Sequence, residues 1–198
     1  MQVLGIVNVA VNPATNTVYA TNVGYITGQR TGDSVYMIKG TTCEGADTTG
    51  CGQAPLVIPT GSQPWGITVD QSTDTVYVVI EAGGDYPATV GVIDGATCNS
   101  ADVSGCGQLS RRTVAVGFSA NDIAIDPTNH MLYTTNHSDA TISAIEGSTC
   151  NRLVSSGCHL ASPRLPAGTY PNTIAIDPAV DTAYVAGLDG VSVIPLAP

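Results

Sequence analysis

Two independent motifs recur along this chain at the same interval, and that double repeat constrains the fold more than any other feature. The first closes on a tyrosine: NPATNTVY at 12–19, DQSTDTVY at 70–77, DPTNHMLY at 126–133 and DPAVDTAY at 177–184. Tyr19, Tyr77, Tyr133 and Tyr184 stand 58, 56 and 51 residues apart. The second motif carries two cysteines: TTCEGADTTGCGQ at 41–53, ATCNSADVSGCGQ at 96–108 and STCNRLVSSGCHL at 148–160. A shared period of about 50–58 residues marks a chain assembled from repeated structural units.

Each unit reads as four short strands, because runs of four to seven β-branched or aromatic residues alternate with turn-forming clusters. In the second unit these runs are GITVD (66–70), TVYVVIE (75–81), ATVGVIDG (88–95) and RTVAVG (112–117). No apolar pattern at i, i+3, i+4, i+7 persists long enough for an amphipathic helix. Four antiparallel strands per repeat predict an all-β fold, a β-propeller of about four blades, with the fourth blade stopping after its third strand, GVSVIPL at 190–196. The expected blades span about 6–61, 62–117, 118–168 and 169–198, as one repeat array. Their innermost strands fall near 8–12, 66–70, 122–126 and 172–177. Each of these ends on Asn12, Asp70, Asp126 or Asp177, whose side chains are expected to accept hydrogen bonds from backbone N–H groups two residues ahead.

Only 11% of the residues are charged against 43% hydrophobic, which is too apolar for a disordered chain. Sixteen acidic residues against six basic ones give a formal charge of −10, which repels phosphate backbones and anionic lipid. Nucleic-acid partners and membrane insertion are therefore not expected. The opening residues carry neither the basic segment nor the apolar stretch of a secretory leader, so any export signal is expected to have been removed or to lie outside this sequence.

The alternation of a DPxTxTVY turn and strand, then Thr-Asn (Thr21-Asn22, Thr135-Asn136), then a VSVI strand, resembles the YVTN β-propeller repeat of bacterial and archaeal surface-associated proteins. The likeness covers nearly the whole chain. It implies a ring of seven blades that serves as a binding scaffold, related propellers being lactonases or lyases. The CX7C insert departs from the simplest form of the repeat.

An arc of four blades leaves one blade face uncovered at each end. Three arrangements would cover them: a four-bladed ring closed by Met1–Gly5 as the missing strand, two chains paired head to tail, or a longer propeller supplying the remainder. The register disfavours the first, so self-association or the remainder of a longer ring is expected.

The six cysteines form three CX7C pairs, Cys43/Cys51, Cys98/Cys106 and Cys150/Cys158. Each pair lies between the third and fourth strands of its blade, and the pairs belong to different blades. Zinc would want tighter CX2–4C spacings with a second pair close by, so local disulfides are expected. Persistent disulfides need an oxidising compartment, which places the protein outside the cell or on its surface. His159 reads as a loop histidine beside Cys158.

Blade topology puts the disulfide loops and DPxT turns on one face of the propeller. The opposite face, at the mouth of the central channel, gathers the remaining loops and is the expected ligand site, for a small molecule, a glycan or a protein. Its candidate ligand-binding residues are Trp65, Glu81, Tyr86, Asn121, Asp122, Asn136, His137 and Asn172, with Tyr25, Arg30, Asp85 and Tyr170 nearby. Trp65 opens an inner strand, at the position where the other blades are expected to carry Asp122 or Thr173, and it either stacks on a ligand or packs between blades. No cofactor is expected, although Asp33, Asp139 and Asp189 near the starts of third strands are candidate ligands for calcium; a turn-capping role is the simpler reading. The chain lacks the GxSxG, HExxH and GxGxxG signatures. His137 with Glu81 or Asp139 is the one acid/base pairing the sequence offers. The leading expectation is an extracellular binding or scaffold module, acting through the mouth or by blade-to-blade association. The alternatives are a lactonase-like or lyase-like enzyme and a structural unit of a surface layer or filament.

Overall fold

A computed structural model describes residues 5–26, 29–30, 32–83, 86–107, 109 and 112–196, with backbone alone at 25–26 and 29–30. Met1–Leu4 and Asp85 lie outside the described residues, as do the side chains of Tyr25 and Arg30. The chain forms four radial antiparallel sheets, the blades of a β-propeller. Blade 1 comprises β1 (Ile6–Asn12), β2 (Thr17–Asn22), β5 (Ser34–Lys39) and β6 (Leu56–Pro59), with a two-residue hairpin, β3 (Tyr25–Ile26) and β4 (Gln29–Arg30), inserted after β2. Blade 2 is β7 (Gln63–Asp70), β8 (Thr75–Glu81), β9 (Pro87–Asp94) and β10 (Thr113–Phe118). Blade 3 is β11 (Ala120–Ile125), β12 (Met131–Asn136), β13 (Thr141–Glu146) and β14 (Arg164–Pro166). Blade 4 has three described strands, β15 (Thr173–Asp177), β16 (Thr182–Gly187) and β17 (Gly190–Pro195). The innermost strands β1, β7, β11 and β15 pack side by side in chain order.

The repeated turn has one local cause in all four blades. The Oδ1 atoms of Asn12, Asp70, Asp126 and Asp177 accept from the N–H of Ala14, Ser72, Thr128 and Ala179, at 2.8–3.0 Å. Four residues beyond each cap stands Asn16, Asp74, His130 or Asp181, with φ between 45° and 62°. Asn, Asp and His tolerate this left-handed region better than other side chains, which is why the turn sequence repeats as it does.

Pairing of Tyr19 with Met37, Tyr77 with Val92, Tyr133 with Ala144 and Tyr184 with Val193 fixes the equivalent positions across blades. The same register makes Trp65 equivalent to Asn121 and Asn172; it is Gly66, not Trp65, that matches Asp122 and Thr173. A Cβ on Gly66 would lie 2.8 Å from the Cα of Asp122, so the absent side chain lets β7 and β11 approach on the inner rim.

The core consists of three apolar layers, one in each gap between blades. Each layer joins the leading face of one blade, facing the next in sequence, to the trailing face of its successor. Tyr19, Val35 and Met37 meet Ile67, Val78 and Ile93, and Tyr77, Val90 and Val92 meet Ile123, Leu132 and Ile145. Three disulfides close as expected from the spacing: Cys43–Cys51, Cys98–Cys106 and Cys150–Cys158. Among the described residues no helix is long and apolar enough to cross a membrane.

Candidate functional site

The tyrosine motif and the cysteine motif meet in space, which explains why they share one period. The Tyr19 hydroxyl of blade 1 donates to the carbonyl of Cys98 in blade 2 at 2.6 Å, and Tyr77 of blade 2 donates to the carbonyl of Cys150 in blade 3 at 2.9 Å. Burial pushes both phenols up, so they stay protonated donors. Around these bonds the second and third disulfide loops each clasp the turn of the preceding blade: Ser100 bonds Thr15 and Thr17, and Arg152 bonds Thr73 and Thr75. Disulfide loops and DPxT turns therefore share one face of the propeller. His130 lies on it, with Nδ1 2.9 Å from Oδ2 of Asp70 in the preceding blade. Burial alone would raise the Asp70 carboxyl, but hydrogen bonds from Ser72 and Thr73 and the nearby His130 outweigh it and hold the group below the ordinary carboxylate range. His159 stands on this same face, in a cleft of about 390 Å³ with Arg112 and Asp94. Neither His130 nor His159 shares the face of His137.

The opposite face forms the mouth. The Thr-Asn pairs tie it together: Thr21 donates to the carbonyl of Trp65, and Thr135 to the carbonyl of Asn172, each across a blade boundary. Asp122 acts as a hub on the inner rim. Its carboxylate accepts from its neighbour Ile123 N–H, from Ile174 N–H in blade 4 and from the Asn8 side chain in blade 1. Burial raises its pKa, and these three hydrogen bonds offset only part of that effect.

Between blades 3 and 4 the mouth opens into a cleft of about 410 Å³ that includes His137, Tyr170, Asn172 and Leu188. The His137 and Tyr170 rings stack at a centroid distance of 4.8 Å, and the Asn121 side chain donates to that of Asn172 at 3.1 Å. Tyr170 is held outward by a left-handed backbone, φ 50°. His137, Asn121 and Asn172 thus lie around one stretch of the mouth with Tyr170, and Asp122 stands beside Asn121 on the inner rim.

The remaining candidates sit elsewhere. Trp65 donates its indole N–H to Glu81 at 2.8 Å and packs on the apolar layer between blades 2 and 3. Tyr86 is exposed. Asn136 is fully buried: its amide donates to Thr141 and Ser143 and its carbonyl accepts from Gly117 N–H. It ties blade 3 to the outermost strand of blade 2. Asp139 accepts from Phe118 N–H and pairs with Arg164 at 2.8 Å, and Asp189 accepts from Thr169 N–H. The Asp33 carbonyl accepts from Thr60 N–H. Among the described residues no three His, Cys, Asp or Glu side chains gather as a metal site would require. His137, Glu81 and Asp139 each take different partners, Tyr170, Trp65 and Arg164.

A further cavity, of about 480 Å³, opens on the trailing side of blade 1, beside Val9, Ile38 and the Cys43–Cys51 loop.

No family model matches the chain, and no curated protein matches its sequence. Solved structures do match its fold. A functionally unknown protein from Desulfotomaculum acetoxidans aligns over all of this chain and 54% of its own, with TM-score 0.64 and 15% identity. A Bacteroides fragilis protein, provisionally designated a 6-phosphogluconolactonase, aligns over 93% of this chain and 48% of its own, with TM-score 0.62 and 19% identity. A structure of a nidogen/laminin complex aligns over 96% of this chain and 60% of its own, with TM-score 0.58 and 14% identity. The chain spans about half to three fifths of these propeller-type structures, and at such identities the likeness is one of fold.

Proposed function

We propose that this protein is an extracellular binding module of the YVTN β-propeller type, which holds a neutral, hydroxyl-rich ligand of the glycan class on its mouth face between blades 3 and 4. The observation that carries this reading is the His137–Tyr170 stack beside the Asn121–Asn172 pair at the rim of an open cleft. Aromatic faces suit the apolar faces of sugar rings, and amide side chains supply both donors and acceptors for adjacent hydroxyls. A net charge of −10 discourages anionic ligands. Three disulfides suit life outside the cell.

Binding of neutral oligosaccharides, followed by NMR chemical-shift mapping or calorimetry, tests the reading. Tyr170→Asn keeps a residue compatible with the left-handed backbone and should weaken binding at least tenfold, as should Asn172→Ala. Retention of a glycan that neither substitution disturbs, or failure to bind any neutral glycan, would overturn it.

A further inference from the structure

Every joint between blades 1, 2 and 3 is built from the same two faces. On the leading side stands a tyrosine with two apolar residues on the third strand. On the trailing side stand an inner-strand apolar residue and the carbonyl of the first cysteine of the disulfide loop. In the joint between blades 2 and 3 the leading trio is Tyr77, Val90 and Val92, exposed by 1%, 0% and 3%. By strand register the corresponding trio of blade 4 is Tyr184, Val191 and Val193, exposed by 40%, 65% and 61%. At the other end of the arc, Val9 of blade 1 matches Ile67 of blade 2; Val9 is 57% exposed and Ile67 is 4% exposed. Beside Val9 opens the 480 Å³ cavity, bordered by Cys43. Its counterpart on blade 2, beside Cys98, is filled by Tyr19.

The chain thus carries both halves of an unmade joint, and we propose that a second copy of this chain makes it. Blade 4 of one copy seats on blade 1 of the other, with Tyr184 in the cavity and its hydroxyl donating to the Cys43 carbonyl. The polar rim of the interior joints continues across it. Within the chain Asn12 bonds Asp74, and Asp70 bonds His130, each linking a turn cap to the left-handed residue of the next turn. The equivalent pair at the proposed joint is Asp177 with Asn16, an acceptor facing an amide. The contact is head to tail, so two copies related by a twofold axis satisfy both joints and leave no blade face open. The joint is independent of the mouth-face ligand, since it uses neither His137 nor Tyr170.

Sedimentation equilibrium or light scattering of the disulfide-bonded chain from about 1 to 200 µM tests the proposal. The expected mass at the upper end is twice the 20.1 kDa of the chain. Val9→Asp spoils only the trailing face of blade 1, and Val193→Asp only the leading face of blade 4. Both positions are exposed, so each variant should keep the wild-type circular dichroism and remain a single chain. Mixed in equal amounts, the two variants retain one intact joint between them and should form a pair. Tyr184→Phe should raise the dissociation constant about fivefold while leaving the fold unchanged. Wild-type protein that keeps the mass of one chain at every concentration overturns the proposal. So does Val193→Asp that dimerises by itself, since that joint would use two blade 1 faces, or a mixture of the two variants that stays monomeric.

Discussion

The Tyr77 hydroxyl is the smallest unit of blade-to-blade specificity in this protein. It reaches a buried carbonyl, that of Cys150, which would otherwise be stranded away from water. Tyr77→Phe is expected to cost about 1–2 kcal/mol in urea unfolding, because one partner is removed and the other stays buried. Tyr77→Ala should cost about 3–5 kcal/mol, since the ring is lost as well. Two aspartates should respond to pH with opposite signs. The Asp70 pKa is lowered from its ordinary 3.8, so its contribution to stability is present above that value and fades as pH falls through the lower folded-state value. The Asp122 pKa is raised, so folding disfavours its charge, and stability is gained as pH falls from neutrality through the raised value towards 3.8. Unfolding curves of wild type, Asp70→Asn and Asp122→Asn between about pH 2.5 and 7 should show both trends. The gap between wild type and Asp70→Asn should narrow below about 3.8, and wild type should gain on Asp122→Asn as the medium is acidified from neutrality.

At the scale of elements, the three disulfide loops are chemically alike but differently embedded. Each closes a short loop that the chain-entropy account values at roughly 2–3 kcal/mol. The Cys98–Cys106 loop also receives Tyr19, and the Cys98 side chain is fully buried. The Cys43–Cys51 loop borders the open cavity of blade 1. Replacing both cysteines by alanine should therefore destabilise the chain more at 98 and 106 than at 43 and 51, and paired thermal melts would reveal the difference. Strand number, strand order within each blade, the turns and the disulfide pairing are all legible in the repeats, because each is settled within about 50 residues by turn chemistry and β-propensity. The clasp between tyrosine and cysteine was signalled only indirectly, by two motifs keeping one period, since the bond joins residues 73 to 79 apart.

For the whole molecule, the two open end faces should make stability depend on concentration. If copies associate through them, the thermal midpoint should rise with protein concentration by mass action, and Val9→Asp should abolish that rise. With a net charge of −10 per chain, like-charge repulsion opposes pairing. Raising salt from about 50 to 500 mM should therefore strengthen association, a trend that sedimentation at two ionic strengths would check.

The sequence by itself determined the blades, their turns, the cysteine partners and the face on which each loop emerges, because these follow from local propensity and from one period repeated in register. The surroundings of Trp65, Glu81 and Asn136 were decided only by tertiary structure. Trp65 stands five residues before its cap Asp70, as Asn121 and Asn172 do before Asp126 and Asp177, so its place on the inner strand is legible in the repeat; that its indole meets Glu81 and packs on the layer between blades 2 and 3 is not. Likewise Asn136 and His137 are neighbours in the chain, yet Asn136, the last residue of β12, is sealed between blades 2 and 3, and His137, just past the strand, stacks on Tyr170 at the mouth. A strand turns successive side chains to opposite faces, and which face meets a neighbouring blade, water or an open end depends on the packing of blades far apart in sequence.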